Sequence, residues 1–304
     1  MEIGEFIKYL EDVKRYSPNT LLAYKKDILL FVDYCKETEM IDDWKSVTPK
    51  MVRRWEVSMM ASEKPVSPKT VRRRLSALST LFVYMMRNGQ VDDNPVKMVV
   101  LPKIPKRLPV FVSPEQMDTL LDGDSFVEEE FAVLRDKTVI LMAYITGMRR
   151  SELVSLTLSD VDRSSKVIRV HGKGNKERIV PMTEELFDIL NEYLKSRETL
   201  VGGKHQYLFV TDKGTPVYDK FIYRMVVRYL GMVTTQKKRS PHVLRHSFAT
   251  ALLNNGACIE AIRKLLGHSD LSATQVYTHT SVEGLKRIYN QAHPRAEQAS
   301  DDVS

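Results

Sequence analysis

Residues 101–109 read LPKIPKRLP, and no other stretch constrains the fold as much. Proline lacks a backbone N–H and has a fixed φ, so three prolines in nine positions exclude a helix there. The chain crosses this segment extended, and the residues on either side are expected to fold as separate cores. The length agrees, since 304 residues is enough for two domains at roughly 150 residues each. The reading is a first domain at 1–100, a basic Pro-rich linker at 101–112, a second domain at 113–293, and a disordered tail at 294–304 that carries Asp301 and Asp302.

Helix starts are the next clear signal. Ser17-Pro18, Ser67-Pro68 and Ser113-Pro114 each place a serine at N-cap and a proline at the first helical position. The serine oxygen accepts an otherwise orphaned N–H, and proline has no N–H to leave unsatisfied. Gln116 completes a capping box with Ser113. Tyr24, Ile28 and Phe31 follow the first start at helical spacing, and Leu75, Leu78, Phe82 and Met85 follow the second. With a further helix over 49–60, the first domain reads as all-helical.

In the second domain an apolar helix over 138–146 is expected to stop at Gly147. The β-branched stretches 167–171 and 177–182 flank the Gly/Asn-rich turn 172–176, which reads as a hairpin. Helices are expected over 184–196, 218–230, 242–254 and 259–266, the last stopped by Gly267. A final helix over 282–292 carries Leu285 and Ile288 on one face. The fold class is therefore mainly α, with a small β-sheet in the second domain.

Several function classes fall away. Lys and Arg number 46 against 39 Asp and Glu, a net charge of +7 that permits a polyanionic partner without demanding one. The two cysteines, Cys35 and Cys258, cannot build a disulfide scaffold or a four-thiolate zinc site, and a reducing compartment fits best. Glu2, Glu5, Lys8, Glu11 and Asp12 leave the first residues without an apolar signal core. No apolar run approaches the ~20 residues that span a bilayer, so a cytoplasmic protein is expected, with no membrane partner. There is no GxxxxGK[ST] loop, GxGxxG turn, GxSxG elbow or HExxH helix. His242 and His246 stand one helical turn apart, as metal ligands can, but Arg245 between them would repel a cation, and no metal is expected.

What remains is a set of basic and phenolic residues: Arg149, Lys173, His242, Arg245, His268 and Tyr277. Each has an ordinary explanation by itself. Arg149 can pair with Glu152, Lys173 can be a solvated loop lysine, His268 can end a helix, and Tyr277 can pack. Together they suit phosphoryl transfer. Arginine forks bind nonbridging oxygens, a phenolate attacks phosphorus, and lysine or histidine supplies the leaving-group proton. Two further basic groups are candidates for a phosphate backbone. Lys69, Arg72, Arg73 and Arg74 lie beside the apolar stripe of the second Ser-Pro helix, and Lys103, Lys106 and Arg107 lie in the linker. Both groups are equally readable as solvated charge.

The sequence resembles the tyrosine recombinases in five boxes, taken in family order. Residues 146–153 read TGMRRSEL, 171–178 HGKGNKER, 241–250 PHVLRHSFAT, 265–270 LLGHSD and 274–279 TQVYTH. The wording is most similar to the Xer recombinases. The resemblance implies that Tyr277 attacks the scissile phosphate to form a 3′-phosphotyrosyl link, and that Arg149 and Arg245 clamp the nonbridging oxygens. It also implies that His268 bonds one of those oxygens, that Lys173 protonates the leaving 5′-hydroxyl, and that His242 assists proton transfer. Glu152 would order the site around Arg149 and Lys173. No cofactor is implied. The two domains would form a C-shaped clamp on double-stranded DNA carrying a specific site. Four protomers, alike or of two kinds, would assemble there, the last helix docking into a neighbour, and a DNA translocase is a further implied partner. The task would be resolution of chromosome or plasmid dimers. Rival readings are a mobile-element integrase with the same chemistry, a type IB topoisomerase, and a catalytically silent DNA-binding protein, since 259–277 has a helix-turn-helix outline.

Overall fold

The computed structural model describes residues 1–105, 110–123, 126, 131–172, 177–203, 205–267 and 292–295. The chain divides into two compact units, Met1–Arg107 and Leu108–Ser304. The first contains helices α1 (Gly4–Asp12), α2 (Pro18–Tyr34), α3 (Pro49–Ala61) and α4 (Pro68–Arg87), then a short 3-10 turn at Pro95–Met98. Capping starts three of the four helices. Ser17, Thr48 and Ser67 accept from the N–H three residues on, at 3.4, 3.4 and 3.3 Å, each with proline next in line. Helix α1 carries no such signal, and Phe6 and Leu10, its two buried residues, were too few to reveal it. The core of this unit is aromatic. Phe31 meets Trp55 with ring centroids 4.9 Å apart, and Trp44 meets Phe82 edge-on at 5.7 Å.

The second unit holds α5 (Pro114–Asp122), α6 (Phe131–Thr146), α7 (Arg150–Ser155), strands β1 (Val161–Asp162), β2 (Val167–His171) and β3 (Glu177–Pro181), and helices α8 (Glu184–Val201), α9 (Asp219–Val233), α10 (Pro241–Asn254) and α11 (Ile259–Leu266). The strands form one antiparallel sheet in chain order, with Ile168 opposite Val180 and His171 opposite Glu177. Ile168, Val170 and Val180 are fully buried in the main core of this unit. Helix α6 is its axis: Val139, Ile140, Leu141, Met142 and Ile145 are buried completely, and α8 and α10 pack against it.

Two helices run further than the sequence pattern predicts, for one reason. Helix α6 begins at Phe131, not 138, because Arg135 is a core residue. Its guanidinium pairs with Asp136 at 2.7 Å and Asp212 at 2.5 Å and lies over the Phe221 ring. Helix α8 continues to Val201, not 196, because Arg197 is fully buried and donates to the carbonyls of Leu208, His205 and Tyr207. A buried arginine looks like a solvated one in a hydropathy pattern. The strand β1 was likewise not expected, being two residues long.

Beyond α11 the description resumes at Ala292, so the rest of the expected last helix, 282–291, lies outside the described residues. The Ala292 carbonyl accepts from Asn255 Nδ2 at 2.9 Å, and His293 is buried between the rings of Tyr144 and Phe248. The disordered tail was expected to begin at Pro294. Arg295 is instead anchored: its guanidinium meets Asp118 and Asp122 of α5 at 2.8 Å each and Glu185 of α8 at 2.5 Å. In the linker, residues 101–105 form neither helix nor strand and Lys103 is exposed, while Lys106 and Arg107 lie outside the described residues. Both cysteines are free thiols. Among the described residues no helix is long and apolar enough to cross a membrane.

Candidate active site

Helix α6 ends at Thr146 and the chain must turn sharply to enter α7. Gly147 makes that turn with φ +59°, and a Cβ there would sit 2.5 Å from Phe248 Cδ1. The turn delivers Arg149 to the N-cap of α7. Glu152, one turn on, accepts from the Arg149 backbone N–H at 2.8 Å and from its Nη1 at 2.7 Å. The carboxylate therefore caps the helix and aims the arginine together. Arg149 remains 38% exposed while Glu152 is 4% exposed, so the cation reaches solvent and the anion does not.

Arg245 enters from α10 and is buried. It donates to the carbonyl oxygens of Gly147 and Leu266, both at 2.6 Å. No carboxylate pairs with it among the described residues. Burial, helped by the charges of Arg149 and Arg178, lowers its pKa to about 10, and Glu152 offsets only part of that.

The third guanidinium is Arg178 on β3, the last residue of the 171–178 box. It is 5% exposed and grips Glu152 with both forks, at 2.8 and 3.1 Å, while its Nε donates to the Leu265 carbonyl at 2.8 Å. Glu152 was expected to order Arg149 and Lys173; its partners among the described residues are Arg149 and Arg178. Burial alone would raise the Glu152 carboxyl, but the hydrogen bonds and charges of Arg178 and Arg149 outweigh it, and the group stays below its ordinary value. Its place at the end of that box was the sequence signal for Arg178.

The end of α11 closes the cluster. Three successive carbonyls, of Leu265, Leu266 and Gly267, accept from Arg178, Arg245 and Arg149, the last at 3.4 Å. A helix C-terminus carries partial negative charge on such carbonyls, so cations belong there. Gly267 itself has φ +65°, and a Cβ would stand 3.2 Å from Arg178 Cδ.

His242 lies one turn before Arg245 on α10, with its Nε2 3.1 Å from Nε2 of His246. In such a bond one ring nitrogen donates and the other accepts. Among the described residues no group of three or more His, Cys, Asp or Glu is placed to hold a metal ion. The structure thus brings together Arg149, Glu152 and Arg245, adds Arg178, and sets His242 on the same helix as Arg245. Lys173, His268 and Tyr277 lie outside the described residues.

The second group of sequence candidates is on α4 of the N-terminal unit. Arg73 donates to the buried Asp27 carboxylate, and Arg74 Nε lies 3.6 Å from the same group. Burial raises the Asp27 pKa, and the two guanidiniums pull back part of the shift. These two arginines therefore have a folding role. Lys69 and Arg72 are exposed and make no hydrogen bond or ion pair among the described residues.

An arginine cluster with more cations than carboxylates suits an anion, and comparison with known proteins shows the class. Residues 111–283 match the phage integrase family and residues 3–89 match the phage integrase N-terminal SAM-like domain. The chain is 33% identical over 314 residues to tyrosine recombinase XerC of Chlorobaculum parvum, covering 96% of this chain and 94% of that one. It is 37% identical over 295 residues to tyrosine recombinase XerC of Listeria welshimeri, covering 96% and 97%. Among solved structures it resembles the XerH site-specific recombinase bound to difH substrate in a pre-cleavage complex, with a TM-score of 0.69 and 25% identity, covering 94% of this chain and 82% of that one. The Tn1549 transposon integrase in complex with transposon right end DNA shares the fold, with a TM-score of 0.71 at 21% identity over 94% of this chain and 99% of that one. The chain belongs to the phage integrase family. It is a tyrosine recombinase, an enzyme of DNA cleavage and strand transfer.

Proposed function

We propose that the protein recombines duplex DNA at a specific site, with Tyr277 as nucleophile, and that its task is Xer-like resolution of chromosome or plasmid dimers in the cytoplasm. The phenol oxygen of Tyr277 forms a bond to phosphorus as the bond to the 5′-oxygen breaks. The phenolic proton leaves through His242 or solvent, and Lys173 gives a proton to the departing 5′-hydroxyl. Arg149 and Arg245 bind the nonbridging oxygens, and His268 donates to one of them. The phosphotyrosyl bond preserves the energy of the phosphodiester, so rejoining to a new 5′-hydroxyl reverses the same steps without ATP.

One observation carries this reading: Arg149 and Arg178 share the single carboxylate of Glu152, while Arg245, held by the carbonyls of Gly147 and Leu266, has no carboxylate partner among the described residues. The surplus of two positive charges matches the charge that builds on phosphorane oxygens in the transition state. The relatives named XerC, matched along almost their whole length, favour the Xer role over mobile-element integration. Exposed Lys69, Arg72 and Lys103 supply backbone contacts, with Lys106 and Arg107 continuing the linker's basic run. Four protomers pair two sites, with a translocase as regulator.

The test is covalent capture on a nicked suicide substrate. Wild type should form a phosphotyrosyl adduct, whereas Tyr277→Phe should bind the DNA and form none. An adduct persisting in Tyr277→Phe overturns the assignment. Sequencing the captured DNA gives the site and its symmetry.

A further inference from the structure

Arg178 has every feature of a functional arginine except access. It is buried, and its Nε, Nη1 and Nη2 are all engaged, by the Leu265 carbonyl and by both oxygens of Glu152. It cannot also bind a substrate phosphate. What it does is join three pieces of chain through one side chain. These are β3, which returns from the turn carrying Lys173, then α7 with Arg149 and Glu152, and the last turn of α11, directly before His268.

We propose that Arg178 is a positioning residue that locks the C-terminal end of α11 to Glu152 and so fixes the point from which the nucleophile-bearing segment departs. The inference rests on the reading of Tyr277 as nucleophile given above. Its physical basis is the order of the carbonyl contacts. Arg245 and Arg149 also touch the end of α11, at Leu266 and Gly267, but both have a phosphate to bind. Their hold on the helix end changes when the phosphate arrives. Arg178 has no such second duty, so its contact with Leu265 is the one that stays constant through the reaction. A lysine there keeps the charge but has one point of donation where the fork has three, and cannot grip Glu152 and Leu265 together. Misplacing an attacking group by about 1 Å costs on the order of 100-fold in rate.

The experiment uses the full-length Arg178→Lys variant and wild type in parallel. Site affinity, single-turnover adduct formation on the nicked substrate, and amide hydrogen exchange over residues 259–267 are measured. We expect affinity within about threefold of wild type, since backbone contacts elsewhere supply it. Adduct formation should be about 100-fold slower, and exchange in the last turn of α11 faster. A substrate with a 5′-phosphorothiolate leaving group, which needs no proton, should not restore the rate. Full restoration would show that Arg178 acts on the Lys173 turn instead, and would overturn the proposal. So would a normal rate, or an affinity that falls in step with the rate. If wild type forms no adduct at Tyr277, the functional reading itself has failed, a result separate from any of these. Should Arg178→Lys not fold, Arg178→Gln combined with Glu152→Gln removes both buried charges together, which such pairs tolerate. Faster exchange at the end of α11 then supports the proposal, and unchanged exchange overturns it.

Discussion

The two units use arginine in opposite ways. In the N-terminal unit the carboxylates are buried and the arginines stand at the surface: Asp27 and Glu56 are nearly inaccessible, while the Arg73 and Arg53 side chains that serve them are 46% and 54% exposed. Water screens those cations, and each exists to satisfy an acid. In the second unit Arg178 and Arg245 are buried and Glu152 is outnumbered. Arg197 shows that burial alone does not make a site. It is also carbonyl-bound, but among the described residues no second arginine shares its carbonyls. The lesson is that what sets the cluster apart is several guanidiniums gathered around one buried acid, not the burial of an arginine.

Changing one cation in each unit should expose the contrast most sharply. Arg245→Lys removes a forked donor from the developing oxyanion, and we expect single-turnover cleavage to fall by about 10³-fold. Arg73→Lys, at a screened pair, should change the rate less than about threefold. Equal losses would erase the distinction between the units.

Removing the outnumbered acid comes next. Glu152→Gln leaves Arg178 buried without its counter-ion and should cost about 3 kcal/mol or more in urea unfolding at neutral pH. The folded-state value of Glu152 lies below the ordinary 4.5, so its stabilisation is full above that pH and is lost as pH falls through the folded value. The gap between wild type and Glu152→Gln should therefore narrow below about pH 4.5.

A milder effect belongs to His293, whose burial pushes its imidazole down to about 3 from 6.5. The unfolded chain takes up a proton near 6.5 that the folded chain refuses until about 3. Stability contributed by the neutral ring is thus present above 6.5 and falls as pH drops through that window. Denaturation midpoints at pH 7, 5 and 4 should fall less steeply in His293→Phe. The smallest change is expected for Arg72→Ala. Stability should not move, while DNA affinity weakens a few-fold and the salt slope drops by about 1. No change in slope would remove Arg72 from the DNA contacts.

Much of this was legible in the sequence, and the parts that were not share a cause. Capping serines before prolines marked α2, α4 and α5 because that chemistry is local. Arg149 and Arg245 stood in recognisable boxes. Arg135, Arg178 and Arg197 did not declare themselves, because each is made a core residue by partners distant in sequence, such as Asp212 for Arg135 and Leu265 for Arg178. Arg73 and Arg74 have a partner that the run of basic residues did not show, a buried carboxylate on α2 distant in sequence.

The run of carbonyls at Leu265, Leu266 and Gly267 has a consequence for the enzyme between reactions. Like charges packed together would push the cluster apart if nothing negative stood near. The end of α11 offsets that repulsion with the dipoles of three carbonyls, one for each guanidinium. The three guanidiniums are therefore gathered and held apart from one another by the fold itself, without any bound anion.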